Sequence, residues 1–312
     1  MIAFGPVPSR RLGRSLGINN IPGRKVCSYE CVYCQVGKTM VMTNKRVEFY
    51  QPEVVYKEVK SHLSKLEEAN KPEYLTFVSN GEPTLDIHLG KTIDMLKAFH
   101  IPIAVITNAS LLSKPKLRKE LRLADLVSVK IDVDDEIIWK RINQPYKALK
   151  FDEYKEGIMS FAGEFKNRLI SETMLIKGLN DSVDLISKTA DFVASIHPST
   201  AYLSIPTRPP LVSTVEASDE FEVNVAFQIF KEHIINTELL IGFEGTNTGF
   251  TGNALEDILN MCAVHPIRED TMAALLEKDN ADRDLLDSLL TNGYIKKISY
   301  QANTYYLRKF HI

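Results

Sequence analysis

The sequence predicts an α/β protein: a partial (βα)6 TIM-like barrel over residues 1–250, then a small winged-helix-like domain over residues 254–312. Three observations carry this. Short β-rich runs alternate with helix-period segments from about residue 18 to 250, the pattern of βαβ units with right-handed crossovers and a parallel sheet. Six or so such units are too few for a closed eight-fold barrel, so an open one is expected, with its site in the loops at the strand C-termini. From Ala254 onward the pattern changes to three helices and a hairpin.

Strands are expected at residues 18–21, 74–78, 103–107, 126–131, 169–175, 201–205 and 239–243. Between them, Val55, Val59, Leu63 and Leu66 recur at helical spacing, as do Ile93, Leu96 and Phe99. Leu185, Ile186, Thr189, Phe192, Val193 and Ile196 make a wide apolar stripe. In the tail, helices are expected at 254–264, 268–278 and 282–291. Asn292-Gly293 closes the third, and strands at 294–300 and 304–308 flank Gln301-Ala302-Asn303.

Composition sets bounds. The 312 residues are 44% hydrophobic and 25% charged, as in an ordinary water-soluble chain. No apolar run reaches the roughly 18–20 residues of a membrane span. The first residues lack an apolar stretch followed by a cleavage site, so no secretory signal and a cytoplasmic location are expected. Net charge is −2, which excludes a chain that is basic throughout. Residues 1–48 nevertheless carry eight Lys or Arg against Glu30 and Glu48. This is either a solvated basic loop or a local field suited to an anionic ligand.

Three of the four cysteines lie within eight residues, as Cys27-x3-Cys31-x2-Cys34. Such clustered thiols in a cytosolic chain bind metal or do redox chemistry. Three thiolates on one short loop can hold three corners of an iron–sulfur cube and leave the fourth iron open. A zinc knot is the alternative, but structural zinc usually takes a second ligand pair, and only Cys262 remains.

This loop, with Tyr33 before the third cysteine, resembles the signature of the radical S-adenosylmethionine (SAM) superfamily. The resemblance implies a [4Fe–4S] cluster on Cys27, Cys31 and Cys34. It also implies reductive cleavage of SAM to a 5′-deoxyadenosyl radical that takes hydrogen from substrate, with an electron donor such as flavodoxin or ferredoxin. It places Tyr33 near the adenine of SAM. Ser79-Asn80-Gly81-Glu82-Pro83-Thr84 resembles the family's GGEP-type loop, which contacts the SAM amino group; Asn80 stands where the first glycine is usual. Thr107 and Asn108 resemble the polar step below the SAM ribose and carboxylate.

Further residues at strand ends are candidates by position. Lys130 would pair with the SAM carboxylate or an anionic substrate, or be a surface lysine. Ser171 and Glu172 would approach the SAM ribose, or Glu172 would make a structural ion pair. Arg208 and Glu244 would face the cavity, or be rim charges. Lys130, Glu172, Arg208 and Glu244 are the candidate catalytic groups.

The run Gly5-Pro6-Val7-Pro8-Ser9-Arg10-Arg11-Leu12-Gly13, with the later TRPP and GFEG segments, is similar to the Fe–S oxidoreductase group that includes the wyosine-forming tRNA enzymes. Those enzymes build a second cluster from further N-terminal cysteines. No cysteine precedes Cys27, so one cluster is expected. The expected substrate is RNA or a nucleotide-like anion. The tail bears seven Lys or Arg and nine Asp or Glu, with Asp282, Asp284 and Asp287 on its third helix. Phosphates would repel that helix. A peptide- or protein-modifying maturase or activase, docking its partner through the tail, is therefore the alternative. A non-catalytic Fe–S winged-helix redox regulator is the second alternative.

Overall fold

The computed structural model describes residues 2–242, 246 and 248–309. In chain order the elements are β1 (Ala3–Ser9), β2 (Gly13–Ile18), β3 (Val26–Cys27), β4 (Val41–Met42), α1 (Pro52–Lys65), β5 (Tyr74–Phe77), α2 (Leu89–Leu96), β6 (Ile103–Thr107), α3 (Pro115–Leu121), β7 (Leu126–Lys130), α4 (Glu136–Asn143), α5 (Phe151–Glu164), β8 (Arg168–Met174), α6 (Val183–Ser195), β9 (Thr200–Ser204), α7 (Glu220–His233) and β10 (Thr237–Leu240). The tail adds α8 (Ala254–Val264), β11 (Ile267–Arg268), α9 (Glu269–Lys278), α10 (Arg283–Thr291), β12 (Ile295–Tyr300) and β13 (Asn303–Arg308).

The main sheet has eight strands in the order β1-β2-β5-β6-β7-β8-β9-β10, curled into an open half-barrel. From β2 to β10 every neighbouring pair is parallel. The first expected strand is corrected: it ends at Ile18 rather than beginning there, and β1 precedes it as an antiparallel edge. The prolines of that run hid it, because proline is depleted in strands but tolerated on an edge. The last expected strand is likewise shifted, to Thr237–Leu240.

Strand alternation sorts side chains between two faces. One face meets the helices: Leu75, Phe77, Val105, Val127 and Val129 pack with Val55 and Val59 of α1 and Ile93 of α2. Pro52, set at the start of α1 where no donor is lost, opens that helix. The other face lines the barrel, and its floor is closed by Leu12, Ala104, Leu126, Ile170 and Tyr202.

Across the tail the three-stranded sheet runs β11-β13-β12; β11 is too short for a periodic signal. The β12–β13 turn is made by Gln301 and Ala302, both at positive φ (46° and 60°), which matches the twist of a two-residue hairpin. The apolar core of the tail includes Phe4 of β1 beside Ile258, Met261, Leu275 and Tyr306, with Val7 and Val78 against it. Barrel and tail therefore share buried surface. No helix among the described residues is long and apolar enough to cross a membrane.

Candidate active site

The cysteine loop is seated by backbone pairing to the β5–α2 turn. Val26 bridges Gly81, with Val26 N–H donating to Asn80 O (3.2 Å) and Glu82 N–H to Val26 O (3.1 Å). Gly81 has φ +134°, and a Cβ there would stand 1.8 Å from Val26 O. Only glycine allows this approach.

Glu82 is 2% exposed. Its carboxylate accepts from Thr84 N (3.1 Å), Thr84 Oγ1 (2.6 Å), Thr107 Oγ1 (2.7 Å) and Asn108 N (2.8 Å). Burial pushes its pKa up, and these donors pull the other way. With four donors in place, the carboxylate knits the ends of β5 and β6 together. Pro83 follows it as the first residue of a short buried 3-10 turn.

Each cysteine sulfur receives a nitrogen donor. Lys25 Nζ lies 3.0 Å from Cys34 Sγ, Asn143 Nδ2 lies 3.4 Å from Cys31 Sγ, and Asn108 Nδ2 lies 3.7 Å from Cys27 Sγ. Burial pushes the Cys27 thiol up and the Cys31 thiol up to about 12. Bare thiols here would favour the neutral form, whereas coordinated thiols are deprotonated outright. An ammonium and two amide groups aimed at sulfur suit thiolates, so the donor set fits an iron–sulfur cluster. Burial alone would lower the pKa of Lys25, but attraction to the three cysteine sulfurs outweighs it and raises the value.

Inside the barrel runs a buried charge ladder. Parallel register sets Lys130 beside Glu172. Lys130 Nζ lies 2.9 Å from Glu172 Oε1 and 3.7 Å from Asp132 Oδ1. Arg11, from the turn after β1, pairs with the other oxygen of Glu172. Asp132 accepts from Tyr33 OH (2.5 Å) and Asn143 Nδ2 (2.7 Å). The Lys130 ammonium sits 5.1 Å from the Tyr33 ring centroid. Burial lowers the pKa of Lys130, against the pull of Asp132. The ladder thus connects the cysteine loop to the barrel wall through Tyr33 and Asn143.

The structure brings together Cys27, Cys31, Cys34, Asn80, Gly81, Glu82, Pro83, Thr107 and Asn108. It joins Tyr33, Lys130 and Glu172 in the ladder. Ser171 does not join them. Alternation turns it away from the barrel face that Ile170 and Glu172 occupy, and its buried hydroxyl has no hydrogen-bond partner. Arg208 reaches the cysteine loop, with Nη1 3.3 Å from Gln35 Oε1 and Nη2 2.9 Å from His265 Nε2. Glu244 lies outside the described residues. Sequence reasoning missed three contributors. Lys25 precedes Cys27 by two residues and was legible only as part of a basic stretch. Arg11 was legible in the same way, within the basic start and the Gly5–Gly13 run, and Asn143 carried no signal; the two reach their partners across 161 and 112 positions of sequence.

A family model described as the radical SAM superfamily matches residues 22–189. The chain belongs to the radical SAM superfamily, and its cofactors are accordingly a [4Fe–4S] cluster and S-adenosylmethionine. A UPF0026 protein of Methanocaldococcus jannaschii is 44% identical over 98% of this chain and 96% of its own length. A protein of Brachyspira hyodysenteriae described as GTPase Obg is 33% identical over 96% of this chain, which spans 45% of that longer protein. The fold resembles a solved structure of TYW1 with a lysine–pyruvate adduct bound, at TM-score 0.55 and 20% identity over 72% of this chain and 76% of that one.

Proposed function

We propose that this radical SAM enzyme works with a single cluster held by Cys27, Cys31 and Cys34, and acts on RNA or a nucleotide-like anion. When bound, cluster and SAM supply a 5′-deoxyadenosyl radical that abstracts hydrogen. The observation that carries the assignment of ligands is the nitrogen donor on each of the three sulfurs. Lys25 and Asn143 hold Cys34 and Cys31 in place, and Asn108 supports Cys27. Glu82 locks the Asn80–Pro83 loop to Thr107 and Asn108, which leaves backbone carbonyls to meet the SAM ammonium. Tyr33 presents its ring beside the adenine. Lys130 and Glu172, paired with each other inside the barrel, and Arg208 at the cavity wall are the candidates for contact with substrate.

The substrate class rests on a cavity of about 300 Å³ between barrel and tail, lined by Arg208, His265, Arg268, Gln301 and Tyr305. Two guanidinium groups there, Arg208 and the Asp270-paired Arg268, favour an anion, with His265 Nε2 accepting from Arg208 as a neutral imidazole. The division into a core over 1–250 and a winged-helix domain over 254–312 follows from the change in element pattern and from the helix and strand order of the tail. One observation favours the second reading, a peptide- or protein-modifying enzyme: Asp282, Asp284 and Asp287 of the third tail helix are all exposed, a face that repels phosphate.

Anaerobic reconstitution, dithionite reduction and assay for 5′-deoxyadenosine test the enzyme itself. Product is expected from the native chain. Cys31→Ala should lose both iron and product. An intact cluster without product would favour a regulator. Filter binding to total tRNA tests the substrate class. Affinity should fall steeply with added salt; binding indifferent to salt would move the case to the peptide reading.

A further inference from the structure

Lys25 is 5% exposed. Its ammonium donates to Cys34 Sγ (3.0 Å) and to Gly37 O (2.6 Å). Among the described residues no carboxylate forms an ion pair with it. Lys130, also inside the protein, differs: Glu172 lies 2.9 Å away and Asp132 3.7 Å. A cation taken out of water needs an anion beside it. The negative charge in contact with Lys25 is that of Cys34 as a thiolate, and the attraction extends to Cys27 and Cys31.

The ammonium is also fixed in place. Lys25 O accepts from Met40 N and Val41 N, both at 3.1 Å, and Gly37 N donates to Cys34 O at 3.2 Å. Backbone and side chain of Lys25 are thus both tied to the loop that follows the third cysteine. The other two sulfurs meet neutral amides, Asn143 at Cys31 and Asn108 at Cys27. An amide would also serve to hold Cys34. What lysine adds is a full charge, at one of the three ligands.

We propose that Lys25 sets the reduction potential of the cluster, drawing it upward so that a one-electron donor can load it. This rests on the reading of Cys27, Cys31 and Cys34 as the cluster ligands. A cubane on three thiolates gains one negative charge when it takes up an electron. A fixed cation at a ligand sulfur favours the more negative state. The electron comes from a low-potential one-electron donor, and Lys25 neither gives nor takes a proton in that step. Glu82, whose charge reaches Cys27, acts in the opposite sense. Lys25 therefore offsets the buried carboxylate that locks the neighbouring glycine turn.

A mediated redox titration of the anaerobically reconstituted full chain, followed by EPR of the reduced cluster, reads the midpoint directly. Lys25→Gln keeps an N–H donor and removes the charge; Lys25→Met removes both. Each should lower the ratio of reduced to oxidised cluster at a given potential by about tenfold or more, equivalent to a midpoint lower by about 59 mV for one electron. Lys25→Arg should recover most of the difference, because it keeps the charge. Iron per chain is measured on the same samples. Iron-loaded Lys25→Gln and Lys25→Met chains with the native midpoint would overturn the proposal and leave Lys25 as a tie within the loop. If both neutral variants lose iron, the native chain decides. Grown with isotope-labelled lysine nitrogen, its reduced cluster should show a lysine nitrogen coupling in pulsed EPR, and absence of that coupling would overturn the proposal. Zinc in place of iron in the native chain is a different result: it overturns the cluster reading itself, and this inference with it.

Discussion

At the scale of single residues, the site depends on backbone space as much as on reactive groups. Gly81 combines a φ of +134° with a contact that leaves no room for a methyl group, 1.8 Å from Val26 O. The strained backbone alone costs about 1–3 kcal/mol for a non-glycine residue, and the clash is with backbone one residue from Cys27. Gly81→Ala should therefore lower stability by at least about 2 kcal/mol and strip most of the iron. Iron per chain after reconstitution, together with an anaerobic denaturant titration, checks this; full iron content in the variant would refute it. Glu82 illustrates the same point for a charged group. Its place after the glycine suggested a partner for the SAM ammonium, yet its oxygens are taken by Thr84, Thr107 and Asn108. A motif can locate such a residue, whereas its role depends on which donors the neighbouring strand end brings to it.

At the scale of elements, the β1–β2 hairpin does two jobs that a strand-by-strand reading of the sequence did not anticipate. It covers the edge of the parallel sheet, and its turn delivers Arg11 to Glu172 inside the barrel. The tail helices hold a titrating element of their own. Asp257 of α8 accepts from Thr251, and Asp279, at the end of α9, accepts from Gly252 N. Burial pushes Asp279 up from 3.8 to about 6, with the charge of Asp257 adding to the shift. Between those values the folded chain holds a proton that the unfolded chain releases. Stability therefore falls as pH rises from about 4 to 6, and stays lower above that range. Solvent screens much of this at a half-exposed carboxyl, so about 1 kcal/mol or less is expected. Asp279→Asn keeps an oxygen for Gly252 and removes the charge. Its urea midpoint should exceed that of the native chain at pH 7.5, and the two should converge near pH 4. Equal midpoints at pH 7.5 would contradict the assignment.

At the scale of the whole molecule, the tail is a wall of the barrel rather than an appendage hung from it. Phe4 stands on the barrel face of β1 within the core of the tail, and a Cβ at Gly17 would come within 2.1 Å of its ring. The cavity lined by Arg208, His265 and Tyr305 has walls from each part. Phe4→Ala should cost about 3–5 kcal/mol, as for other buried aromatics cut to alanine. The chain's one tryptophan, Trp139, is buried in the barrel against Tyr29 and Tyr154. A fall in the denaturation midpoint followed by its fluorescence would show that barrel and tail unfold together. An unchanged tryptophan transition would mean that the tail unfolds by itself.

Much of this protein was legible in its sequence because the informative features are local. Alternating runs placed six of the seven parallel strands to within about three residues, the first being set five residues late, the tail helices followed from their period, and the spacing of Cys27, Cys31 and Cys34 pointed to metal or redox chemistry. What the chain order could not convey is what lies opposite what. Which strand face Ser171 occupies depends on pairing register, and whether Glu172 meets Lys130 and Arg11 depends on strands and a turn far apart in the chain. The donors on the cysteine sulfurs converge only after the sheet has curled. Periodicity and spacing are properties of neighbours along a chain, while hydrogen bonds and buried charge pairs are settled by distance in space, which only the folded molecule defines.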